Sequence, residues 1–152
     1  MNAKLLGLIA GVGVLTAACS DVCDVEKGGG VVTPGSSEDF KANAPDTAYF
    51  DFDSSKVSDA AKKRIDAQAC WLKTYTGTEV TVEGHTDIRG TAEYNLALGT
   101  ARATSVKKVL EESGVKGDRI TVVSYGKERV ADEGTTEEAH AKNRRAVTVV
   151  GK

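Results

Sequence analysis

The sequence predicts an α/β (α+β) fold, a two-layer sandwich in which helices pack on a four-stranded mixed sheet. Over residues 46–152, segments with the apolar–polar alternation of strands are followed by segments with helical periodicity. The links between the first three strand candidates are long enough to hold a helix and to cross over the sheet. With 152 residues, the chain has room for one such domain and accessory segments.

Residues 1–18 have the order of a secretory signal peptide. Lys4 and the amino terminus are basic, residues 5–15 are apolar, and residues 16–18 are small. The apolar run is too short to span a bilayer as a stable helix. We therefore expect this segment to be removed after export.

Cys19 follows the small residues directly, and its placement resembles the lipobox of bacterial lipoproteins, in which the cysteine becomes the acylated first residue. Several acyl chains at Cys19 would hold the protein firmly on a membrane. Ser20 rather than aspartate comes next, and the resemblance to lipoprotein sorting favours the outer membrane, with the domain facing the periplasm. Thr16 stands where lipoboxes prefer leucine, so ordinary signal cleavage that leaves a thiol at Cys19 is the alternative.

Residues 19–45 are expected to be the lipidated N terminus and a flexible tether, because they are rich in Gly, Ser and charge and show no sustained apolar period. A coil of about 25 residues has a typical reach of roughly 25–30 Å. Cys23 lies in this tether. In an oxidising compartment it can form a disulfide with Cys70, which would shorten the tether. A buried thiol at Cys70 and an exposed one at Cys23 are the alternative.

Residues 46–152 are expected to form the domain. Alternating apolar residues predict its strands, which we place at residues 49–52, 79–84, 120–125 and 146–150. In the second strand, Val80 and Val82 share one face. Mixed pairing is expected in the sheet.

Three helices are predicted between these strands. The first runs from the N-cap Ser58 to about Tyr75, the second from Thr91 to Ser113, and the third over residues 135–142. Trp71 lies one position off the apolar stripe of the first helix and is expected to cover the edge of that stripe. The residues of the stripe are Ala61, Ile65, Ala69 and Leu72.

Composition and motifs exclude several function classes. Lys and Arg total 20 against 22 Asp and Glu, so no positive field would draw the chain to nucleic acid. The cysteines and histidines lack metal-ligand spacing, and neither a metal nor a cofactor is expected. A wall hydrolase would need a metal, an activated nucleophile or a pair of tuned carboxylates. The sequence offers none of these arrangements, so we expect no enzyme.

A binding pocket is predicted where the loop after the second strand enters the long helix. Asn95, Leu98 and Arg102 share one helix face at i, i+3 and i+7, and Asp87 and Arg89 lie in the loop beside it. A carboxylate at Asp87 and a guanidinium at Arg102 suit a zwitterion such as an amino acid. The alternatives are that Asp87 and Arg102 form a surface salt bridge and that Leu98 belongs to the core.

Several spaced motifs between residue 48 and the end of the chain read YFDFDSSKV, VEGHTDIRGTAEYNLALGTARATSVKKVL, VVSYGKE and NRRAV. They occur in the order found in the OmpA-like domain family, and within it the chain resembles the peptidoglycan-associated lipoproteins of the Tol-Pal system. The resemblance implies an OmpA-like sandwich that binds the diaminopimelate of peptidoglycan stem peptides, whose free D-centre carries an ammonium and a carboxylate. It also implies a role in envelope integrity and cell division, with the β-propeller protein of the Tol system and OmpA-type proteins as partners.

The resemblance further implies a set of ligand-binding residues, matched motif by motif. These are Asp53, Asp87, Arg89, Asn95, Leu98 and Arg102. Ile88 stands where the family commonly has glutamate, which removes one acidic group from the rim of the loop. We expect loss of Asp87 or Arg102 to abolish wall binding and to leave the fold intact.

Two questions stay open at this point. His85 is expected to order the loop by hydrogen bonding rather than to touch the ligand. For Arg144 and Arg145 of the NRRAV motif, a structural or electrostatic role and direct binding are both open. The rival function is a periplasmic protein-interaction module that does not bind the wall.

Overall fold

The computed structural model describes residue 23 and residues 32–151. The predicted signal peptide and the predicted lipidation site, Cys19, lie outside the described residues. The elements in chain order are α1 (Ser37–Asn43), β1 (Thr47–Tyr49), α2 (Asp59–Thr74), β2 (Val80–His85), α3 (Ala92–Glu112), a 3-10 turn (Gly117–Arg119), β3 (Ile120–Gly126), α4 (Glu137–Asn143) and β4 (Arg145–Val150). Within the described part, no helix is long and apolar enough to cross a membrane.

The four strands form one mixed sheet in the order β1-β4-β2-β3, which confirms the predicted fold class. β4 is antiparallel to both β1 and β2, whereas β2 and β3 are parallel. The parallel pair is possible because α3 crosses over the sheet between the two strands. As a result, the first turns of α3 lie next to the carboxyl end of β2, where the functional loop begins.

The core lies between the sheet and the two long helices. The predicted stripe of α2 is buried, since Ala61, Ile65, Ala69 and Leu72 are each at most 3% exposed. α3 contributes Ala103, Val106 and Leu110, and the sheet contributes Val80, Val82 and Ile120. Both helices begin at the predicted N-caps, because the hydroxyls of Ser58 and Thr91 accept hydrogen bonds from Ala61 N and Tyr94 N.

Trp71 does not cover the edge of the α2 stripe as predicted, but lies fully inside the core. Its indole Nε1 donates to the Asp39 carboxylate at 3.0 Å, and its ring packs edge-on against Phe40 with centroids 5.0 Å apart. Both partners belong to α1. Trp71 is therefore buried by a helix that precedes the predicted domain in the chain.

The folded part begins before Pro45, so the tether predicted to run to residue 45 is shorter than expected. α1 starts at the N-cap Ser36, whose hydroxyl accepts a hydrogen bond from Asp39 N. Phe40 is 1% exposed and belongs to the core. One aromatic side chain in a seven-residue helix anchors this segment, although the segment has no extended apolar period.

The first strand lies at Thr47–Tyr49 rather than at the predicted residues 49–52. Its pairing with β4 ends with Tyr49 opposite Arg145, and one further backbone hydrogen bond joins Phe50 N to the carbonyl of Arg144 at 2.9 Å. The chain then turns through Asp53, which has a positive φ of 52°. This turn carries the FDFD motif away from the sheet and towards the start of α3.

Cys23 and Cys70 form a disulfide, with their Cα atoms 5.5 Å apart. Of the two arrangements that the sequence left open, the structure has the bonded pair. The bond joins the segment before α1 to the fourth turn of α2.

Candidate functional site

A cavity of about 200 Å³ opens between the turn after β1, the loop after β2 and the first turns of α3. Phe52, Thr86, Gly90 and Tyr94 line it together with all six predicted ligand-binding residues. Those six are Asp53, Asp87, Arg89, Asn95, Leu98 and Arg102. The cavity is smaller than the roughly 300–1,000 Å³ clefts that enclose whole drug-sized ligands, so it suits the end group of a larger molecule.

Two glycines allow α3 to approach the sheet closely enough to form this cavity. A Cβ at Gly84 would overlap the backbone carbonyl of Gly99, and a Cβ at Gly99 would overlap the hydroxyl of Ser124. The contact fixes the distance between the carboxyl end of β2 and the second turn of α3. It therefore fixes where Asn95 and Arg102 stand relative to the loop.

Arg102 forms the floor of the cavity and holds three segments together. Its guanidinium donates to the carbonyls of Asp51 at 3.1 Å, Ser54 at 2.8 Å and His85 at 3.0 Å. The side chain is 0% exposed, and burial lowers its pKa to about 10, so the group keeps its charge at neutral pH. Three of the five guanidinium N–H groups serve these carbonyls, which leaves two for a ligand.

These three hydrogen bonds argue against the expectation that Arg102 can be lost with the fold intact. Removal of the guanidinium would leave three carbonyls without their donor, and an unsatisfied buried polar group costs about 1–3 kcal/mol. Arg102 is both a structural clamp and a wall of the cavity.

Asp87 supplies a buried negative charge to the lining of the cavity. Its Oδ1 accepts from Arg89 N at 3.0 Å and its Oδ2 from the Arg89 side chain at 2.7 Å. Burial alone would raise the pKa of Asp87, but the hydrogen bonds from Arg89 outweigh it and hold the pKa below the ordinary value. Asp87 is thus ionised. Its shortest ion pair is with Arg89, whereas the alternative of a surface salt bridge required a pair with Arg102.

Asn95 and Leu98 take different parts on the facing side of α3. The Asn95 amide donates to the carbonyls of Arg89 at 2.8 Å and Thr91 at 3.0 Å, so it fastens the loop to the helix. Leu98 is half-buried and contributes an apolar wall to the cavity, and it is not one of the fully buried core residues. Asp53 is exposed at the rim.

Aromatic side chains at the mouth of the cavity were not among the predicted site residues. Phe52 is 60% exposed and Tyr94 is 49% exposed, although both line the cavity. The Arg89 guanidinium lies 4.3 Å from the centre of the Phe52 ring. Tyr94 could have been found from its place four positions before Leu98 on the same helix face, whereas the position of Phe52 depends on the turn at Asp53.

His85 orders the loop, as predicted. Its Nδ1 lies 3.1 Å from the carbonyl of Arg129, its own carbonyl accepts from Arg102, and the residue is 2% exposed. Burial lowers the pKa of His85 to about 4, with a smaller effect from Arg145, so the ring is neutral at neutral pH. His85 does not line the cavity.

Arg144 is a structural residue behind Asp87. It donates to the carbonyl of Phe50 at 3.0 Å and to the Glu137 carboxylate at 2.8 Å, and it lies 3.9 Å from Asp87 Oδ2. Arg145 begins β4 and points its guanidinium at the carbonyl of Arg129 at 3.3 Å. Neither arginine lines the cavity, so the structure favours the structural interpretation of both.

The lining of the cavity contains both carboxylates and guanidiniums. Asp53 and Asp87 can receive a cation, Arg102 and Arg89 can receive an anion, and Leu98 adds an apolar surface. Among the described residues, no group of three or more His, Cys, Asp and Glu side chains could hold a metal ion. The site can bind a zwitterion by charge-assisted hydrogen bonds.

Comparison with known proteins agrees with this geometry. The model of the OmpA family matches residues 49–144, which include every element of the cavity. The chain belongs to the OmpA family. Residues 49–144 extend from the end of β1 to the residue before β4, so the family match covers most of the folded part.

Relatives of this OmpA-family chain share a name. A peptidoglycan-associated lipoprotein of Rhizobium meliloti (strain 1021) is 43% identical over 132 residues, which cover 87% of this chain and 75% of the relative. One from Legionella pneumophila is 39% identical over 159 residues, covering 92% of this chain and 90% of the relative. These names describe wall-associated lipoproteins and not enzymes, in line with the non-enzymatic role expected from the sequence.

Solved structures show the same fold. The peptidoglycan-associated lipoprotein from Burkholderia pseudomallei has a TM-score of 0.67 and 41% identity, and the match covers 69% of this chain and 89% of that one. The C-terminal domain of Helicobacter pylori MotB has a TM-score of 0.65 at 23% identity, covering 70% of this chain and 84% of that one. At that low identity the second likeness concerns the fold alone.

Proposed function

We propose that this protein is a lipid-anchored envelope protein that links the outer membrane non-covalently to peptidoglycan. The cavity beside α3 binds the diaminopimelate of stem peptides, and no covalent chemistry takes place. One observation carries the proposal: Asp87 and Arg102, both buried and of opposite charge, line the same small cavity. The names of the relatives, peptidoglycan-associated lipoproteins, support the same role.

Diaminopimelate fits this cavity by its chemistry. Its free D-centre carries an ammonium, for Asp87 and Asp53, and a carboxylate, for the two guanidinium N–H groups of Arg102 that the backbone does not use. The methylene chain of the ligand would lie against Leu98. The rest of the stem peptide and the glycan would remain outside, which agrees with a volume of about 200 Å³.

The membrane end of the link is Cys19, which we propose to be acylated after removal of residues 1–18. Several acyl chains give an anchor that does not release readily, whereas the cavity holds its ligand reversibly. Many reversible contacts in parallel attach the membrane to the wall by avidity. We further propose the β-propeller protein of the Tol system as a protein partner, in envelope integrity and cell division, with OmpA-type proteins as further partners.

A second function, protein interaction without wall binding, has one observation in its favour. Exposed aromatic side chains lie at the cavity mouth, where Phe52 and Tyr94 are 60% and 49% exposed. Such a rim suits a protein partner. The small charged cavity inside the rim is better explained by a zwitterionic ligand, so wall binding is the preferred function.

Co-sedimentation with purified sacculi tests the proposal. The chain from residue 19, with Cys19→Ser to prevent acylation, is compared with the same chain carrying Asp87→Asn. Loss of one charge-assisted hydrogen bond corresponds to roughly 10–100-fold weaker binding. Free diaminopimelate should compete with the sacculi for the parent chain.

Asp132→Asn is the matched control, because Asp132 is also an ion-paired acid, 2.9 Å from Lys142 Nζ, but does not line the cavity. It should bind sacculi like the parent. If the folded parent fails to bind, or if Asp87→Asn binds as well as Asp132→Asn, the cavity does not bind the wall and the protein-interaction function takes its place.

A further inference from the structure

The disulfide lies in a surface depression formed by α2 and the end of α3. Cys23 and Cys70 are both half-buried and line this depression together with Glu112 and Ser113. The hydroxyl of Ser113 donates to the Asp66 carboxylate at 3.2 Å, which joins the end of α3 to α2 at the same place. We call this end of the molecule the disulfide pole.

The ligand cavity lies at the other end of α3. Asn95 and Leu98 line the cavity in the first two turns, whereas Glu112, the last helical residue, lines the depression at the disulfide. At 1.5 Å per residue, Leu98 and Glu112 are separated by about 21 Å along the helix axis. The cavity and the disulfide therefore occupy opposite poles of the domain.

The disulfide also reduces the number of residues between the proposed lipid anchor and the first point held by the domain. From Cys19 to Cys23 there are four residue steps, which span at most about 14 Å. Without the bond, the fold still holds Gly35, whose N–H donates to the Asp39 carboxylate at 3.0 Å. The 16 steps from Cys19 to Gly35 span at most about 56 Å. A flexible chain of that length has a typical end-to-end distance of roughly 20–25 Å.

We propose that the Cys23–Cys70 disulfide holds the lipid-anchored N terminus against the pole opposite the cavity, so that the oxidised domain lies close to the membrane with its cavity directed at the wall, and that reduction lengthens its reach. The inference rests on the proposed function, because it takes Cys19 as the lipid anchor. The bond thereby sets the width of membrane–wall gap that the protein can bridge.

The redox step is thiol–disulfide exchange with a dithiol or disulfide partner. In oxidation, the two cysteine thiols reduce the disulfide of a partner to two thiols, and the electrons and protons balance. In reduction, a partner dithiol attacks the bond, becomes a disulfide itself and leaves two cysteine thiols. The half-buried position of both cysteines at the surface leaves them open to such attack.

Neutron reflectometry on the mature, lipidated full chain in a supported bilayer of phosphatidylethanolamine with a minor share of phosphatidylglycerol tests the proposal. Reflectometry measures the gap between the lipid headgroups and the protein layer. The sample contains no peptidoglycan. Native protein should show a gap of at most about 14 Å. Addition of a phosphine reductant should widen the gap to roughly 20–25 Å and broaden its distribution.

Cys23→Ser and Cys70→Ser should have the wide gap without reductant, and reductant should not change them. Cys23→Ser removes no core residue, so the fold is kept even if Cys70→Ser perturbs α2. Equal gaps in native and variant protein would overturn the proposal, as would two free thiols in native protein counted with a maleimide, or a Cys19 that carries no lipid. Failure of wall binding leaves the gap unchanged, so the two proposals fail separately.

Discussion

The two ends of the domain are stabilised by different kinds of buried side chain. Near the cavity, the buried residues are charged or polar, and Arg102, Asp87 and Asn95 are at most 5% exposed. Near α1, the largest buried side chains are aromatic, and Phe40 and Trp71 are at most 1% exposed, while the buried Asp39 carboxylate accepts a hydrogen bond from Trp71. The sheet and α3 are common to both ends, so the difference lies in the side chains and the loops that they hold.

From this difference we infer that stability and the proposed ligand binding depend on the same residues at the cavity but on different residues near α1. Arg102 fixes three backbone segments and lines the cavity, so no change there can affect binding alone. Phe40 packs against Trp71, and neither residue lines the cavity. Substitutions at the two ends should therefore produce different patterns of effect.

The largest effect is expected from Arg102→Met, which keeps the volume of the side chain but removes its donors. We expect the free energy of unfolding in urea to fall by about 3–5 kcal/mol, because three carbonyls lose their partner. Sacculus binding should be lost as well.

Arg102→Lys is the matched control for charge, since lysine keeps the cation but cannot fork to three carbonyls. It should be intermediate in stability and still bind weakly. If Arg102→Met unfolds at the parent's urea concentration, the guanidinium is not a structural clamp, and the proposed coupling is wrong.

Phe40→Ala should destabilise the other end without changing the cavity. Truncation of a buried phenylalanine costs about 3–4 kcal/mol, and urea unfolding measures this loss. Below the unfolding transition, affinity for sacculi should equal that of the parent. A lowered affinity of the folded variant would show that the two ends are coupled after all.

A smaller effect is expected from His85, which should make the free energy of unfolding depend on pH. Burial lowers its pKa in the folded state to about 4, from the ordinary 6.5 of the unfolded chain. The unfolded state then binds more protons than the folded state. The contribution of neutral His85 to the free energy of unfolding is therefore complete above about pH 6.5 and is lost as the pH falls towards 4. Between pH 7 and pH 5 the loss should be about 2 kcal/mol.

Urea unfolding at pH 7 and pH 5 measures this loss. In His85→Asn, where the amide can still donate to the carbonyl of Arg129, the difference between the two pH values should disappear. The same pH dependence in parent and variant would mean that another group is responsible.

Local signals predicted much of the fold and of the cavity. The N-caps Ser58 and Thr91 and the apolar stripe of α2 follow from residue type and spacing. All six predicted ligand-binding residues line one cavity, because five of them lie on a single loop and helix and the family motif supplied Asp53.

What the sequence could not show depends on contacts between distant residues. The hydrogen bond from Trp71 to Asp39 joins residues 32 positions apart. No periodicity in α2 indicates that a further helix packs against Trp71. Arg102 reaches carbonyls as far as 51 positions away, so its structural role cannot be read from the helix face alone. Position within the motif identified the residue but not everything that it does.

Calorimetric titration with two stem tripeptides tests whether the cavity recognises a zwitterion or only an ammonium. One carries diaminopimelate and the other lysine at the same position; lysine keeps the side-chain ammonium but lacks the carboxylate that Arg102 is proposed to bind. We expect the diaminopimelate peptide to bind at least about 10-fold more tightly, as the loss of a charge-assisted contact implies. Equal affinity for the two peptides would contradict the claim that the cavity recognises a zwitterion.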